Sequence, residues 1–361
     1  MNIRPKAMTA LYPTDILFQT PYWARVKARL GLSPHAFDIP AAGPGKDVLV
    51  LLKPFGEYKV AVVPQGPEHA PPKEQYGPFL EHFSHALAAR LGPDVAFIRY
   101  DLPWASPYAA QLAREGQHAM PEPRLRELRM NMGTSSWNIR KAQEDMTPAN
   151  SLVVDLTGEE TDLLARMKPK MRYNIGLARR RGVVVRPACE ADLPSFYSLY
   201  RQTARRNGFS PCGAAHFAAV FQERADTLPS QDFLFLLARH GQDVLAGAIV
   251  GVSEGTATFL YGASSDLKRN LMAPALMHWG AMRLARARGC SRYDMGAVSP
   301  GDDPAHPFHG LYRFKVGFGG RIEYRSGTWD YPLRHDVYAR YHDAELWRGL
   351  SERRGLGQPA P

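Results

Sequence analysis

Residues 89–101 read Ala-Arg-Leu-Gly-Pro-Asp-Val-Ala-Phe-Ile-Arg-Tyr-Asp, and the fold class can be inferred from them. Before them, apolar residues at helical spacing predict a helix over residues 79–91, which ends at Gly92 and Pro93. After the glycine, Val95–Asp101 predicts a β-strand. The stretch therefore describes a helix that leads through a glycine into a strand carrying Arg-Tyr-Asp.

A second stretch with the same order of helix, glycine and strand lies roughly half a chain further on. Residues 285–294 read Ala-Arg-Ala-Arg-Gly-Cys-Ser-Arg-Tyr-Asp, and they end an amphipathic helix predicted over Ala275–Arg288. Both copies end a helix with Ala-Arg shortly before a glycine and continue into Arg-Tyr-Asp. This long period indicates a duplicated α/β domain rather than a short-period solenoid.

Further elements surround the two copies. Asp47–Pro54 and Glu57–Val63 predict paired strands, and Leu152–Leu156 predicts another. Glu160–Arg181 predicts one helical segment whose apolar stripe is Met171, Ile175 and Ala178. The rest of this segment is loaded with cations: Lys168, Lys170, Arg172, Arg179, Arg180 and Arg181. Its charge indicates either a solvated face or a stripe that follows phosphates.

The domain organisation follows from these elements. We expect an N-terminal domain over residues 1–150, completed by residues 326–350, and a C-terminal domain over residues 151–325. The polar end of the chain, residues 352–361, is expected to be frayed.

Composition limits the class of protein. The chain has 361 residues, of which 45% are hydrophobic and 22% charged, so it has enough apolar surface for folded domains. Its net charge of +10 favours polyanionic partners such as nucleic acid, anionic lipid or phosphate-bearing substrates. Three widely spaced cysteines, no membrane-spanning run and no signal sequence lead us to expect a cytoplasmic protein.

Several kinds of catalytic motif are missing from the sequence. It has no P-loop, no dinucleotide-binding glycine motif, no Gly-x-Ser-x-Gly elbow and no metal-binding cluster. His306 and His309 lie three residues apart, but Pro307 separates them and no further ligand is evident. An enzyme of this kind needs a substrate that is already activated, such as an acyl thioester or an aminoacyl ester, which it positions for attack by an amine.

Nine short motifs, taken in order, resemble the FemABX family of aminoacyl-tRNA-dependent peptidyltransferases. The motifs span the chain: Phe18–Lys27, Val63–Pro67, Ile98–Asp101, Met171–Val183, Arg206–Phe209, Phe259–Ser265, Tyr293–Gly296, Gly310–Lys315 and Gly317–Gly319. Each motif is weak alone, and their order and spacing carry the resemblance. The family's helical-hairpin insertion is absent, so the chain is similar to the compact, FemX-like form.

The resemblance implies a fold and an activity. The fold is two tandem acetyltransferase-like (GNAT) domains, with mixed sheets flanked by helices and no coiled-coil insertion. The activity is transfer of an amino acid from aminoacyl-tRNA to the stem peptide of a peptidoglycan precursor, which builds interpeptide bridges of the cell wall. The implied partners are aminoacyl-tRNA and a UDP-linked or lipid-linked muropeptide. No cofactor and no metal are implied, peripheral association with a membrane is left open, and the oligomeric state is not defined.

The resemblance also implies roles for individual residues. Lys315 would stabilise the oxyanion or hold the phosphate of the tRNA end, beside small residues that let a ligand approach, and Phe314 would stack against the tRNA 3′ end. The bland alternatives are a surface lysine in a glycine hairpin and a core phenylalanine on a strand. A plausible chemistry has no protein base, because the tRNA itself takes the proton of the attacking amine.

The acceptor and the tRNA are assigned to other residues. Lys27 and Arg206 would bind the diphosphate of the precursor, although the neighbouring Arg205 blurs the second assignment. Asp101 would orient the incoming amine, or pair with Arg99 or cap a loop, and Tyr261 would contact substrate through its hydroxyl or be a half-buried strand residue. The predicted tRNA-binding residues are the first cations of the basic segment: Lys168, Lys170 and Arg172.

Two other functions remain open. A CoA-dependent N-acyltransferase would need a glycine-bearing turn before a helix, but the candidate turn, Arg269–Ala275, contains Leu271, Met272 and Pro274. A non-catalytic basic RNA-binding module would make no use of Lys315.

Overall fold

The structure is a computed structural model that describes residues 1–223 and 231–354. Its strands are β1 (Arg4–Lys6), β2 (Ser33–Asp38), β3 (Asp47–Phe55), β4 (Tyr58–Val63), β5 (Val95–Ala105), β6 (Arg140–Lys141), β7 (Asn150–Asp155), β8 (Val184–Pro187), β9 (Gln231–His240), β10 (Asp243–Ser253), β11 (Thr256–Ser264), β12 (Arg292–Ala297) and β13 (Arg321–Pro332).

The helices alternate with these strands along the chain. They are α1 (Pro21–Arg29), α2 (Tyr76–Leu91), α3 (Ala109–Glu115), α4 (Pro123–Asn131), α5 (Glu160–Arg166), α6 (Pro169–Arg180), α7 (Leu193–Asn207), α8 (Ala214–Gln222), α9 (Ala273–Ala287), α10 (His309–Lys315) and α11 (His335–Arg354). The remainder of the tail that was predicted to fray, residues 355–361, lies outside the described residues. Within residues 1–223 and 231–354, no helix is both long and apolar enough to cross a membrane.

One mixed sheet runs through the whole molecule. Its strands are hydrogen bonded in the order β1-β2-β3-β4-β5-β13-β7-β12-β11-β10-β9-β8, and β6 pairs with β13. We call β1–β5 the first lobe of this sheet and β7–β12 the second lobe. Both predicted Arg-Tyr-Asp strands lie in it, as β5 and β12.

The two lobes repeat one unit. In the first, the antiparallel pair β3–β4 leads through α2 into β5, which is parallel to β4. In the second, the antiparallel pair β10–β11 leads through α9 into β12, which is parallel to β11. The predicted α/β class and the repeated helix–strand unit are confirmed.

The strand β3 shows how the sequence builds a buried layer. Its apolar run has Val48, Val50 and Leu52 packed against α2, while Leu49 and Leu51 face the core beneath α1 and α11. Successive side chains of a strand point to opposite faces, so a run without polar residues is suited to a strand that is buried on both faces of the sheet.

The second lobe is layered in the same way. Helices α6 and α9 cover one face of its sheet, and α7 and α8 cover the other. Helix α1 joins the lobes, because Trp23 and Val26 pack into the core beneath α7 and α8 whereas Ala24 packs into the core of the first lobe. The hydroxyl of Tyr22 also donates to Val220 O at 3.0 Å.

The long strand β13 belongs to both lobes. Its residues 321–324 pair with β7, and its residues 325–332 pair with β5. Val337 and Tyr341 of α11 then pack against the first lobe. The predicted domain boundaries at residues 150 and 325 stay predictions.

The prediction of one helix over residues 160–181 was wrong. The chain forms two helices, and Pro169 occupies the first turn of the second. Proline has no N–H and disfavours helical backbone in the residue before it, so the helix is interrupted at Met167 and Lys168. The predicted apolar stripe of Met171, Ile175 and Ala178 is confirmed, since all three are buried.

A buried ion pair fixes the seam between β5, β13 and α11. Arg99 donates to both oxygens of Asp330 at 2.7 Å, and its Nη2 donates to Glu345 at 2.9 Å. Only 7% of the Arg99 side chain and 1% of the Asp330 side chain are exposed. A bidentate pair in this environment holds the strands in one register.

We predict that Arg99→Met lowers the free energy of unfolding by about 3–5 kcal/mol, because Asp330 is left buried without its partner. The measurement is urea unfolding followed by circular dichroism. The control is Arg340→Met on α11, whose pair with Asp336 is 3.9 Å long and exposed, and which should shift the free energy by about 0.5 kcal/mol or less. Equal effects of the two substitutions would contradict a role for the buried pair.

Candidate active site

Lys315 ends α10, and its side chain is 3% exposed. Beside it, β12 has an irregular register between Asp294 and Ala297, and its pairing with β11 ends at Asp294. Lys315 Nζ donates to Met295 O and to Ala297 O in this irregular stretch, both at 2.6 Å. An ammonium carries three donors, and no described residue accepts the third.

The surroundings of Lys315 disfavour its charge. Burial lowers the pKa of Lys315 to about 7, although the charge of Asp294 opposes the shift. Burial and the nearby ammonium also lower the pKa of His278 to about 3, so this imidazole is neutral at pH 7. A weakly solvated ammonium with a free donor is suited to stabilise an oxyanion.

Phe314 is half-buried beside this lysine. Its ring centroid lies 5.6 Å from that of His278 and 5.4 Å from that of Phe318. These contacts anchor one side of the ring in the core of the second lobe, on a helix rather than on the strand that the bland alternative supposed. Stacking against a tRNA end stays a prediction.

The expectation about the small residues around Lys315 was wrong, because the chain itself fills the space beside them. A Cβ on Gly317 would lie 2.8 Å from Met171 Cε, and one on Gly319 would lie 2.2 Å from Arg166 O. Gly319 also has a φ of +80°, which favours glycine. These two glycines let α5 and α6 approach the segment after Lys315, and the segment is a helix end rather than a hairpin.

The predicted tRNA-binding residues lie at this same place. The backbone N–H of Lys168 donates to Gly317 O at 2.8 Å, which joins the start of α6 to the segment after Lys315. Lys168 and Lys170 have exposed side chains, and neither forms an ion pair with a described residue. The side chain of Arg172 instead forms a contact within the chain, because its guanidinium donates to the carbonyl of Met167 at the end of α5.

Lys27 and Tyr261 are brought together at the junction of the lobes. The ammonium of Lys27 lies 4.6 Å from the Trp23 ring centroid, and it forms no ion pair with any residue that the structure describes. Burial lowers its pKa. The hydroxyl of Tyr261 lies 2.6 Å from His216 Nε2, and burial together with the charge of Lys27 lowers the pKa of His216 to about 4.

Arg206 is held at the end of β11. It donates to Ser264 O at 2.9 Å and to Ser264 Oγ at 2.8 Å, and its Nη1 lies 3.1 Å from Asp266 Oδ1. Three of its donor contacts are thus made within the chain. Its assignment to a diphosphate stays a prediction, while Arg205 makes no such contact with the described residues.

Asp101 is buried on β5 and points to the face that carries α11. It accepts from Thr147 Oγ1 at 2.6 Å, and its own backbone carbonyl accepts from Gly66 N at 2.9 Å. Burial raises its pKa to about 6. The alternative pairing with Arg99 was wrong, because that guanidinium binds Asp330.

Asp101 and Lys315 are connected through a charged pair. Arg325 Nη2 donates to Asp294 Oδ2 at 2.7 Å. The charge of Asp294 acts on the pKa of Lys315, and the charge of Arg325 acts on that of Asp101. The site residues therefore form two groups: Lys315, Phe314, Asp101 and the start of α6 in one, and Lys27, Tyr261 and Arg206 in the other.

Sequence reasoning missed three residues that contact or act on these groups: His216, Arg325 and His278. His278 lies within the apolar stripe of α9, and Arg325 is one arginine among many, so neither had a distinguishing pattern. His216 lies seven residues after the end of the Arg206–Phe209 motif and outside every motif that the sequence analysis identified.

A comparison with known protein families identifies the family of this chain. The FemAB family matches residues 130–240 and 231–345. The chain belongs to the FemAB family.

Curated relatives are lipid II:glycine glycyltransferases. That of Staphylococcus haemolyticus (strain JCSC1435) is 32% identical over 108 residues, which are 30% of this chain and 26% of the relative. That of Staphylococcus aureus (strain MSSA476) is 20% identical over 260 residues, 55% of this chain and 62% of the relative. The chain thus spans less than two thirds of the length of either relative.

Solved structures extend the likeness to the whole fold. The crystal structure of FemX is 16% identical with a TM-score of 0.73, and the match covers 95% of this chain and 100% of FemX. A tandem GNAT protein from the clavulanic acid biosynthesis pathway is 13% identical with a TM-score of 0.50, over 91% of this chain and 97% of that one. The predicted fold of tandem GNAT-like domains is confirmed.

We predict that wild-type protein gains stability over Lys315→Met as the pH rises from about 7 to about 10. In this range the unfolded chain keeps the lysine proton, with a pKa near 10.4, whereas the folded chain has lost it at a pKa of about 7. Stability rises with pH wherever the unfolded state binds more protons. Urea unfolding of both proteins across this range measures the difference, and a constant difference would contradict the shifted pKa.

Proposed function

We propose that this protein is an aminoacyltransferase, which moves an amino acid from aminoacyl-tRNA to the stem peptide of a peptidoglycan precursor. Membership of the FemAB family and the glycyltransferase relatives support a transferase of peptidoglycan bridge formation. The proposal adds the tRNA donor and the residues that use it. We also propose that it acts in the cytoplasm.

A single observation carries the proposal: the buried ammonium of Lys315 has a free donor and no carboxylate partner among the described residues. A lysine used only for structure would be expected to gain a counter-ion or to reach solvent. Lys315 instead keeps a donor for a ligand, at the point where β12 leaves β11. The developing oxyanion of acyl transfer is a ligand that this donor would stabilise.

The donor substrate is proposed to approach along α6. Lys168 and Lys170 present cations there that pair with no carboxylate in residues 1–223 and 231–354, and the Lys168 backbone contacts the segment that follows Lys315. Tyr173 is 60% exposed on the same helix and could stack on a nucleotide base. A polyanion bound along this helix would have its end near Lys315.

The acceptor is proposed to bind the second group of residues. Lys27 supplies an ammonium that has no ion pair within the part of the chain that the structure describes. Tyr261 supplies a hydroxyl held by His216, and Arg206 is the further cation at the end of β11. A diphosphate is the group of the precursor that suits these cations, and nucleotide-linked and lipid-linked forms both contain it. Asp101 is proposed to orient the attacking amine.

The proposed reaction needs no protein base. The amine nitrogen of the stem peptide attacks the ester carbonyl carbon of the aminoacyl-tRNA, and Lys315 stabilises the oxyanion. The ester C–O bond then breaks, an amide forms, and the ribose oxygen leaves with the proton that the amine has lost. The ester supplies the driving force, so the protein contributes positioning and charge.

CoA-dependent acyl transfer is the competing function. CoA would need free backbone N–H groups at the start of α9. Leu271 is buried in the turn before this helix, and Pro274 in its first turn has no N–H to offer. This geometry favours the tRNA donor.

We predict that purified protein, given charged tRNA and a UDP-muropeptide, yields a product whose added mass equals one amino acid residue. Lys315→Met should lower the rate by at least about a hundredfold, the usual effect of losing one oxyanion donor. The control is Lys59→Met, an exposed lysine paired with Asp94 in the first lobe, which should leave the rate within about twofold.

The salt dependence of the same assay tests the donor. Lys168→Gln/Lys170→Gln should weaken tRNA binding and make it less sensitive to salt, because two phosphate contacts are lost. Product from acetyl-CoA with no product from charged tRNA would overturn the proposal. Full activity of Lys315→Met would overturn the role of the lysine.

A further inference from the structure

A cavity of about 230 Å³ lies where the two lobes meet, on the α2 and α4 side of the first lobe. Part of its wall is aromatic or apolar: Tyr76, Tyr108, Met120, Met130 and Trp329. The remaining wall includes charged and amide side chains: Lys73, Glu74, Arg126, Arg129, Asp145, Asn150 and Arg325. Neither group of site residues described above assigns a ligand to this cavity.

The arginines of this cavity differ in how their charge is met. Arg325 is paired with Asp294 at 2.7 Å, and Arg129 lies over the ring of Tyr108 at 5.2 Å. Arg126 forms neither an ion pair nor a side-chain hydrogen bond with any described residue. Its Nε is buried without a partner, and burial lowers its pKa. Arg126 and Arg129 therefore both lack a carboxylate partner among the described residues, and Arg126 is the one whose buried Nε also has no hydrogen bond.

Nearby carboxylates do not supply that counter-ion. Among the carboxylates, Asp145 acts most strongly on the pKa of Arg126. Its Oδ1, however, already accepts from Lys141 Nζ at 2.6 Å and from Thr328 N at 2.7 Å. The cavity also contains a second orphaned polar atom, Asn150 Oδ1, which is buried and has no donor among the described residues. Orphaned buried groups of this kind are costly unless a ligand meets them.

We propose that this cavity binds the carboxyl-terminal end of a peptide, with the carboxylate on Arg126 and a peptide N–H donated to Asn150 Oδ1. A guanidinium without a carboxylate partner matches an anion, and it binds a carboxylate through two parallel hydrogen bonds. A phosphate would bring a second negative charge toward Asp145 and would offer no N–H to Asn150. The aromatic wall suits small apolar side chains.

The wall of the cavity is joined to the proposed transfer centre through Asn150. The backbone carbonyl of Asn150 accepts from Val298 N at 3.1 Å, and Val298 follows Ala297, whose carbonyl accepts from Lys315 Nζ. Identifying the bound peptide as the acceptor stem peptide rests on the proposed function, whereas recognition of a terminal carboxylate does not.

Calorimetry on the full chain with N-acetyl-dialanine tests the site directly. Wild-type protein should bind it saturably, and its carboxamide and inorganic phosphate should bind at least about tenfold more weakly. Arg126→Gln should weaken binding of the acid by about tenfold or more and leave the carboxamide unaffected. The matched control is Arg124→Gln, an exposed arginine on the same helix, which should change binding by less than twofold.

A second variant protects the test against misfolding. Asn150→Asp places a carboxylate beside the bound carboxylate, so it should weaken the acid more than the carboxamide, with circular dichroism reporting that each variant is folded. Equal affinity of wild type and Arg126→Gln for the acid, tighter binding of phosphate, or no saturable binding of the acid to wild type would each overturn the proposal.

Transfer assays separate this proposal from the proposed function. If transfer proceeds but is indifferent to Arg126→Gln and to amidation of the muropeptide carboxyl terminus, the identification of the bound peptide as the acceptor stem peptide fails and the function stands. If the acid binds through Arg126 but no muropeptide is ever extended, the function fails and the carboxylate site stands.

Discussion

The shared strand β13 is the constraint on which the rest of the molecule depends. Its first part completes the sheet of the second lobe beside β7, and its remaining part pairs with β5 of the first lobe. A strand cannot slip by one residue without exchanging the faces of all its side chains. One hydrogen-bonded ladder therefore sets the relative position of the two lobes. The Arg99–Asp330 ion pair between β5 and β13 holds the register of that ladder.

That ladder also sets the electrostatics of the site. Arg325 lies at an irregularity of β13, where it pairs with Asp294 from the second lobe and acts on Asp101 from the first. Asp294 in turn offsets part of the desolvation of Lys315. The proposed transfer centre is thus assembled by a junction between lobes, and neither lobe contains it alone.

Much of this architecture is visible in the sequence because it depends on local patterns. The order of helix, glycine and strand at Gly92 and Gly289 located both repeats, and the apolar run of residues 48–52 located the strand β3. The misjudged helix over residues 160–181 has the opposite cause. Its periodic residues were correct, but the effect of Pro169 on the preceding turn was overlooked.

The site was less accessible from the sequence, since its members meet only through tertiary structure. Lys315 was identified by its motif. Its burial, however, depends on the irregular stretch of β12, and no pattern in residues 292–297 predicts that irregularity. The glycines after it were interpreted as space for a ligand, whereas Gly317 and Gly319 make room for α5 and α6. Arg126 and Asn150 carry no motif at all, and only their unmet polar atoms distinguish them.

The most direct test of the central claim is a titration of the Lys315 ammonium by nuclear magnetic resonance. The protein would carry isotope-labelled lysine, the Lys315→Met variant would assign the signal, and a short RNA ending in a stable amide-linked amino acid would replace the charged tRNA. We expect a pKa of about 7 for Lys315 in the free protein, which rises when the RNA brings a phosphate or carbonyl oxygen to the free donor. A Lys315 signal that titrates identically with and without bound RNA would contradict the placement of acyl transfer at this residue.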